Sequence, residues 1–287
     1  VSAMSISPVP VSILIPIRNE AANLPRCLAS VSWAGEVFVV DSGSTDGSAA
    51  LAAAAGAQVV QFAFNGTWPK KKNWALEHLP FRHEWVFILD ADEVLPPGAG
   101  AEIASLIALD GAGSDGFWIN RRFMFMGAWL RHAYYPNWNL RLFRHRLGRY
   151  ERLVQGATQS GDNEVHEHII VDGTTGRLRC AMDHHAFPSI DVFVEKHNRY
   201  SNWEARLALE DVLALLTALE EKPNDLAAAF ARYEEHARPP VEKLVKASRA
   251  SADWYERFGD HMAKDPLDFA YAYISRVGRM SDDTLRT

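Results

Sequence analysis

The segment Trp85-Val86-Phe87-Ile88-Leu89-Asp90-Ala91-Asp92-Glu93 runs apolar for five residues and then ends in two carboxylates one residue apart. Side chains alternate across a strand, so Asp90 and Asp92 can converge where the backbone leaves a sheet. Such a pair suits a hard divalent ion, which takes oxygen ligands and keeps positions for water and substrate phosphates. A buried strand followed by a solvated acidic turn has the same local pattern. The surroundings therefore decide the reading.

Upstream, apolar runs at 11–17, 37–40, 57–61 and 85–89 alternate with helical stretches at 23–30, 46–55 and 70–78. That alternation is the signature of βαβ units on a mostly parallel sheet. Gly56 reads as the stop of the second helix. Polar turns follow three of the strands: Arg18-Asn19-Glu20, then Asp41-Ser-Gly-Ser-Thr-Asp-Gly47, then Asp90-Ala-Asp-Glu93. Ligands of open α/β sheets bind at that carboxyl edge. A carboxylate at Asp41 can accept an N–H from a base or bond a ribose hydroxyl. A tight turn and a helix cap account for Ser44, Thr45 and Asp46 without a ligand, whereas a cap does not need Asp41. Lys70-Lys71-Lys72 opens a helix and can offset a diphosphate, although three lysines also suit a solvated face. Shorter strands are expected at 116–122, 140–143, 168–171 and 177–182. Beyond Pro188 the pattern turns helical, with breaks at Pro223, Pro239-Pro240 and Pro266.

The chain has 287 residues, 48% hydrophobic and 23% charged, enough to bury a full core. Its formal net charge of −6 argues against general nucleic-acid binding, so no nucleic-acid partner is expected. Two cysteines, Cys27 and Cys180, are too few for a disulfide framework or a zinc cluster. No apolar run approaches the roughly 20 residues of a membrane span, and no secretory pattern opens the chain. Cytoplasmic residence is the expectation, with peripheral contact at the inner face of the cell membrane left open.

Four motifs in order, Val11-Ser-Ile-Leu-Ile-Pro-Ile-Arg-Asn-Glu20, Val39-Val-Asp-Ser-Gly-Ser-Thr-Asp-Gly47, Lys72-Asn-Trp-Ala-Leu76 and Leu89-Asp-Ala-Asp-Glu93, resemble those of family 2 glycosyltransferases. The resemblance covers roughly residues 9–202. It implies an α/β GT-A fold with a mixed central sheet, a UDP-sugar donor and a divalent ion, Mn²⁺ or Mg²⁺. By that analogy Pro16, Arg18 and Glu20 border the base pocket and Asp41 meets the base. Asp90 lies by the ribose, Asp92 holds the metal, and Lys72 stands near the nucleotide, while Lys71 replaces a glutamine common in related sequences. The domain boundaries implied are 8–188 for the catalytic domain, with a nucleotide-sugar half at 8–95 and an acceptor half at 96–188. A C-terminal helical extension follows at 189–287.

Trp129-Leu-Arg-His, Tyr135-Pro-Asn-Trp-Asn-Leu-Arg-Leu-Phe143, Val165-His-Glu-His-Ile169, Asp183-His-His and Glu195-Lys-His-Asn-Arg-Tyr200 are similar to the lipopolysaccharide core β1,4-glucosyltransferases. An inverting enzyme of this fold needs a carboxylate to remove the acceptor proton. Glu167 is the expected base, with Glu164 and then Asp162 in reserve. One imidazole, His184 before His185, can complete a metal site with Asp92, or can simply be a hydrogen-bonded core residue.

Between Arg121 and Arg152 stand eight arginines, no lysine and one acidic residue, Glu151. Arginine's fork suits phosphate and carboxylate, so the segment reads as the acceptor side of the cleft, open to an anionic glycolipid or saccharide. Arg141 and Arg144 are the residues chosen to test that. Trp129, Tyr134, Tyr135 and Trp138 suit either sugar stacking or core packing. In the tail, Trp203, Trp254 and the stretch 269–279 suit helical packing or an interfacial helix. Two rivals remain. A phosphatase of the haloacid dehalogenase type would use Asp90 as nucleophile and Asp92 as acid/base with Mg²⁺, but its motif belongs to a first strand. A carbohydrate-binding relative without turnover would use the same cleft.

Overall fold

A computed structural model describes residues 8–131, 135–151 and 168–236. The chain divides into two compact units, the first Val1–Trp129 with Tyr134–Ala186 and the second Leu130–Ala133 with Phe187–Thr287.

The first unit is built on a nine-stranded sheet ordered β3-β2-β1-β4-β8-β6-β11-β5, with β7 on β6. Strands β1 (Val9–Ile17), β2 (Ala34–Asp41), β3 (Gln58–Gln61) and β4 (Trp85–Ile88) run parallel. The sheet becomes mixed where β8 (Trp138–Arg144) pairs antiparallel with both β4 and β6 (Gly116–Phe125). The parallel strands are apolar on both faces because both faces are covered. Val11, Ile13, Ile15 and Ile17 of β1, Val39 of β2, and Trp85, Phe87 and Leu89 pack into one core layer. The residues between them, Leu14, Phe38, Val40, Val86 and Ile88, pack into the other. Helices α1 (Leu24–Ser30), α2 (Ser48–Ala54) and α4 (Ala99–Ala108) contribute Leu24, Cys27, Leu28, Ala52, Ala99 and Ile103 to the first layer. Helix α3 (Lys71–His78) contributes Trp74, Ala75 and Leu76 to the second. The strand pair β9 (Gly148–Tyr150) and β10 (Ile169–Val171) adds Tyr150 and Ile169 there.

The expected βαβ elements all form, with shifted ends, and Gly56 closes α2 with φ of 85° and an N–H to the Ala53 carbonyl. Helix α4 is not foreseen, because Pro96-Pro97-Gly98 stands directly before it and Gly100 inside it. Gly100 sits inside it for contact rather than propensity: a Cβ there would meet Trp33 Cδ2 at 2.5 Å. Strands β5 (Glu93–Val94) and β7 (Ala128–Trp129) are also unforeseen, being too short to show a period. Strand β11 (Thr175–Phe187) is longer than expected and pairs with β5, Asp183 opposite Val94 and His184 opposite Glu93.

The second unit contains α5 (Ile190–Glu221) and α6 (Leu226–His236), separated at Pro223 as expected. Ser189 caps α5 by accepting the Val192 N–H, and Asp225 accepts the Ala228 N–H at the start of α6. The remaining proline breaks, Trp254 and the stretch 269–279 lie outside the described residues. Among the described residues no helix is long and apolar enough to cross a membrane.

Candidate active site

Three turns meet at the carboxyl edge of the parallel strands. Ile17 stands opposite Asp41, and Asp41 opposite Gln61, so the ends of β1, β2 and β3 are level. Leu14 stands opposite Ile88, which brings the turn after β4 to the other side of β1. The first two turns are laced together. Asn19, at φ 56°, gives its N–H to Ser44 Oγ, Glu20 gives its N–H to Ser48 Oγ, and Ala21 gives its N–H to Asp46 Oδ2. Thr45 returns an N–H to Asn19 Oδ1. The residues assigned to capping thus mostly fix the neighbouring loop. The α2 cap itself is Gly47, beside which Asp46 Oδ1 accepts the Ser48 N–H.

Asp41 takes no part in the α2 cap, yet it is more structural than its sequence suggests. It is buried; its Oδ1 accepts both the N–H and the hydroxyl of Ser44, and its Oδ2 accepts Gln61 Nε2 at 3.0 Å. These bonds take three of the roughly four lone-pair directions that a carboxylate offers. Pro16 is half-buried opposite Val40, Arg18 is exposed, and Glu20 Oε2 accepts Asn23 Nδ2 at 2.9 Å.

The lysines are not a solvated face. Lys70 and Lys71 are buried, and Lys71 Nζ donates to the Ile17 carbonyl at 3.1 Å, holding the end of β1. Lys72 Nζ lies 4.6 Å from the centre of the Tyr150 ring, and its charge helps to lower the Asp90 carboxyl. Asn73 and Tyr150 exchange two hydrogen bonds of 2.9 Å, tying α3 to β9.

The turn after β4 is closed by Glu93, whose side chain is fully buried. Its N–H donates to the Asp90 carbonyl and its Oε2 accepts the Asp90 N–H at 3.0 Å. Burial works against an ionised Asp90, but Arg141, Lys72 and Arg121 together hold it well below the usual carboxylate range. Burial and the charges of Glu93, Asp92, Asp90 and Glu20 push the Cys27 thiol up, beneath the same turn. Pairing of β5 with β11 brings His184 Nε2 to 3.3 Å from Asp92 Oδ2, each side chain 15% exposed. His184 Nδ1 is buried with no partner among the described residues, and Phe123 meets the ring edge-on at 5.6 Å. His185 gives its main-chain N–H to the Asp92 carbonyl. Its ring is pushed down by burial and by Arg26.

Asp92 and His184 thus offer one oxygen and one nitrogen donor, types that a divalent ion such as Mn²⁺ accepts. Among the described residues no group of three or more His, Cys, Asp or Glu forms a metal cage.

The arginine-rich segment is corrected most. Arg121 and Arg141 pair with Glu93, and Arg141 also with Asp90. Arg122 pairs with Asp183, Arg149 with Asp172, and Arg144 with Glu84, Asp110 and Asp115. The acidic partners come from other segments, so a local count of charge overstated the free positive field. Arg141 and Arg144 in particular have internal partners and do not test acceptor binding. Of the aromatics, Trp129 and Tyr135 meet edge-on at 5.2 Å, with Arg122 over Trp129, while Trp138 lies against Arg177. Tyr134, Glu167, Glu164 and Asp162 lie outside the described residues. His168, next to Glu167, is tied to Glu151 through its main-chain N–H and Nδ1.

The model of glycosyl transferase family 2 matches residues 12–170. The lipopolysaccharide core biosynthesis glycosyltransferase LpsC of Rhizobium meliloti (strain 1021) is 32% identical over 222 residues, 70% of this chain and 72% of the relative. An uncharacterized glycosyltransferase of Rickettsia felis is 30% identical over 200 residues, 68% and 69% of the two chains. Among solved structures, residues 1–349 of S. aureus TarS align over 93% of this chain and 82% of that chain at 16% identity, with a TM-score of 0.44. Glucosyl-3-phosphoglycerate synthase from Mycobacterium tuberculosis, in complex with Mn²⁺, UDP and glucosyl-3-phosphoglycerate, aligns over 39% of this chain and 43% of that chain. There the identity is 25% and the TM-score 0.32.

Proposed function

The chain belongs to glycosyl transferase family 2, a glycosyltransferase of GT-A fold, and on that premise we propose that it moves a hexose from a UDP-sugar to a lipopolysaccharide-core or other anionic glycolipid acceptor, inverting the anomeric centre. The observation that carries the donor reading is that the turns bearing Asp41, Asp90 and Asp92 leave the same edge of the parallel sheet, with Lys72 close enough to lower the Asp90 carboxyl and His184 beside Asp92. The relative named for lipopolysaccharide core biosynthesis supports the acceptor class, and glucose is the sugar of the enzymes that the middle motifs resemble.

In this reading Asp41 accepts a base N–H, with Pro16, Arg18 and Glu20 around it, and Asp90 takes a ribose hydroxyl. Asp92 and His184 hold Mn²⁺ or Mg²⁺, which when bound offsets the charge of the departing diphosphate. Glu167 removes the acceptor proton while the acceptor oxygen bonds the anomeric carbon and the bond to UDP breaks on the opposite face. One displacement suffices, without a covalent enzyme intermediate. The domain division proposed is 8–188 for catalysis and 189–287 for the helical extension, with peripheral contact at a membrane left to the latter.

The test is a thermal-shift titration with UDP, GDP and CDP, each with and without Mn²⁺, on the wild type and Asp92→Ala. A ligand at 100 times its Kd stabilises the folded state by about 2.7 kcal/mol. UDP is expected to stabilise the wild type when Mn²⁺ is present, and Asp92→Ala is expected to lose that gain. A response to GDP or CDP in place of UDP overturns the donor, and equal responses with and without Mn²⁺ overturn the metal. Retained anomeric configuration in the product, read by NMR, overturns the single displacement.

A further inference from the structure

Strand β8 carries one more residue than its neighbour. Phe117 of β6 stands opposite Leu142 and Trp118 opposite Leu140, so Arg141 between them has no partner on β6. A bulge of this kind re-aims a side chain. Along its other edge β8 pairs with β4, Phe87 opposite Leu142, which puts Arg141 beside the turn that leaves β4. Its guanidinium is buried, and a single nitrogen, Nη2, donates to Asp90 Oδ2 at 2.8 Å and to Glu93 Oε1 at 2.6 Å.

Burying this charge is costly, and an apolar residue would serve the sheet as well. Neutralising Glu93 does not by itself account for it, since Arg121 Nη1 also reaches Glu93 Oε1, at 3.3 Å. What Arg141 adds is the bridge to Asp90. That carboxylate is held asymmetrically: Oδ2 is taken by Arg141, whereas Oδ1 accepts no hydrogen bond among the described residues and the side chain is one-third exposed. One oxygen is fixed and the other is presented.

We propose that Arg141 is the positioning residue of the donor site: from its bulge it locks the Asp90 carboxylate against the Glu93-closed turn, so that the second oxygen of Asp90 faces the nucleotide-sugar. The inference rests on the reading of Asp90 as a donor-side carboxylate. Arg141 touches no substrate and acts through Asp90.

The test is a thermodynamic cycle read by calorimetric titration with UDP in the presence of Mn²⁺, where stoichiometry reports the folded fraction and Kd reports the site. Arg141→Gln is expected to weaken UDP binding about 10- to 100-fold, the worth of a charge-assisted hydrogen bond. Arg141→Lys is expected to recover part of that, because both bonds leave one nitrogen. The Arg141→Gln, Asp90→Asn double variant is expected to bind UDP like Asp90→Asn alone, the signature of one residue acting through the other. In turnover assays the donor KM is expected to rise more than kcat falls. A purely structural Arg141 would lower stoichiometry and leave Kd alone. If Arg141→Gln does not fold, Arg141→Lys replaces it in the cycle. Wild-type Kd in the folded variant, multiplied losses in the double variant, or an Asp90→Asn that binds UDP normally each overturn the positioning role. Absence of UDP binding by the wild type overturns the donor reading, and the inference with it.

Discussion

Replacing Asn73 by alanine tests how α3 is fastened to β9. Asn73 is buried on α3, and its amide gives one bond to the Tyr150 carbonyl and takes one from the Tyr150 N–H, both 2.9 Å. Alanine removes both partners and strands two main-chain groups of β9. Each buried unpaired group costs about 1–3 kcal/mol, so the variant is expected to lose about 2–6 kcal/mol. Asn73→Asp keeps the acceptor and loses the donor, and at neutral pH it sets a buried carboxylate against the Tyr150 carbonyl. That contact raises the folded-state pKa above the unfolded value of about 3.9. The regained O–H bond is therefore complete below that value and is lost as pH rises through the folded pKa. Urea melts of the three proteins from pH 4 to 8 supply the comparison, with the alanine variant as reference at each pH. A loss below 0.5 kcal/mol at unchanged m-value, or an aspartate variant that gains nothing on acidification relative to alanine, refutes the reasoning.

Two further outcomes follow from other packing details. Burial would raise the Glu36 carboxyl, but bonds from Ser12 and from the main chain and guanidinium of Arg82 hold it below its ordinary 4.5. Its stability is thus complete above that value and lost as pH falls through the folded pKa, so Glu36→Gln is expected to cost about 1.5–3 kcal/mol at pH 7 and to flatten the acid limb of stability against pH. Gly100→Ala, although better for a helix, is expected to lose about 1–3 kcal/mol in a denaturant melt, because its methyl meets the Trp33 ring at 2.5 Å.

The parallel half of the fold was legible because its period is enforced twice over, by apolar residues on both strand faces and by turns that must carry polar residues. Ile13 and Leu14 go to opposite core layers, and a sequence can announce that with nothing but hydrophobic runs. The polar turns at the carboxyl edge were legible for the same reason, since residues placed at a strand edge stay contiguous in the chain. What stayed hidden depends on contacts between distant segments. Lys71 reads as a surface lysine until β1 supplies the Ile17 carbonyl, and Gly100 reads as a helix breaker until Trp33 lies against it.

The arginines between Arg121 and Arg152 show how such hiding misleads about function. Five of the eight, Arg121, Arg122, Arg141, Arg144 and Arg149, pair with Glu84, Asp90, Glu93, Asp110, Asp115, Asp172 and Asp183, none of them in that stretch. One local signal did exist: an arginine inside the apolar run Leu140-Arg141-Leu142-Phe143 must either break the strand or find a buried acid. With β8 beside β4, the turn after β4 supplies those acids, Asp90 and Glu93. Arg141 could therefore have been assigned to Asp90 and Glu93 once β8 was known to lie beside β4. Strand order, which a single sequence does not disclose, separates the two assignments.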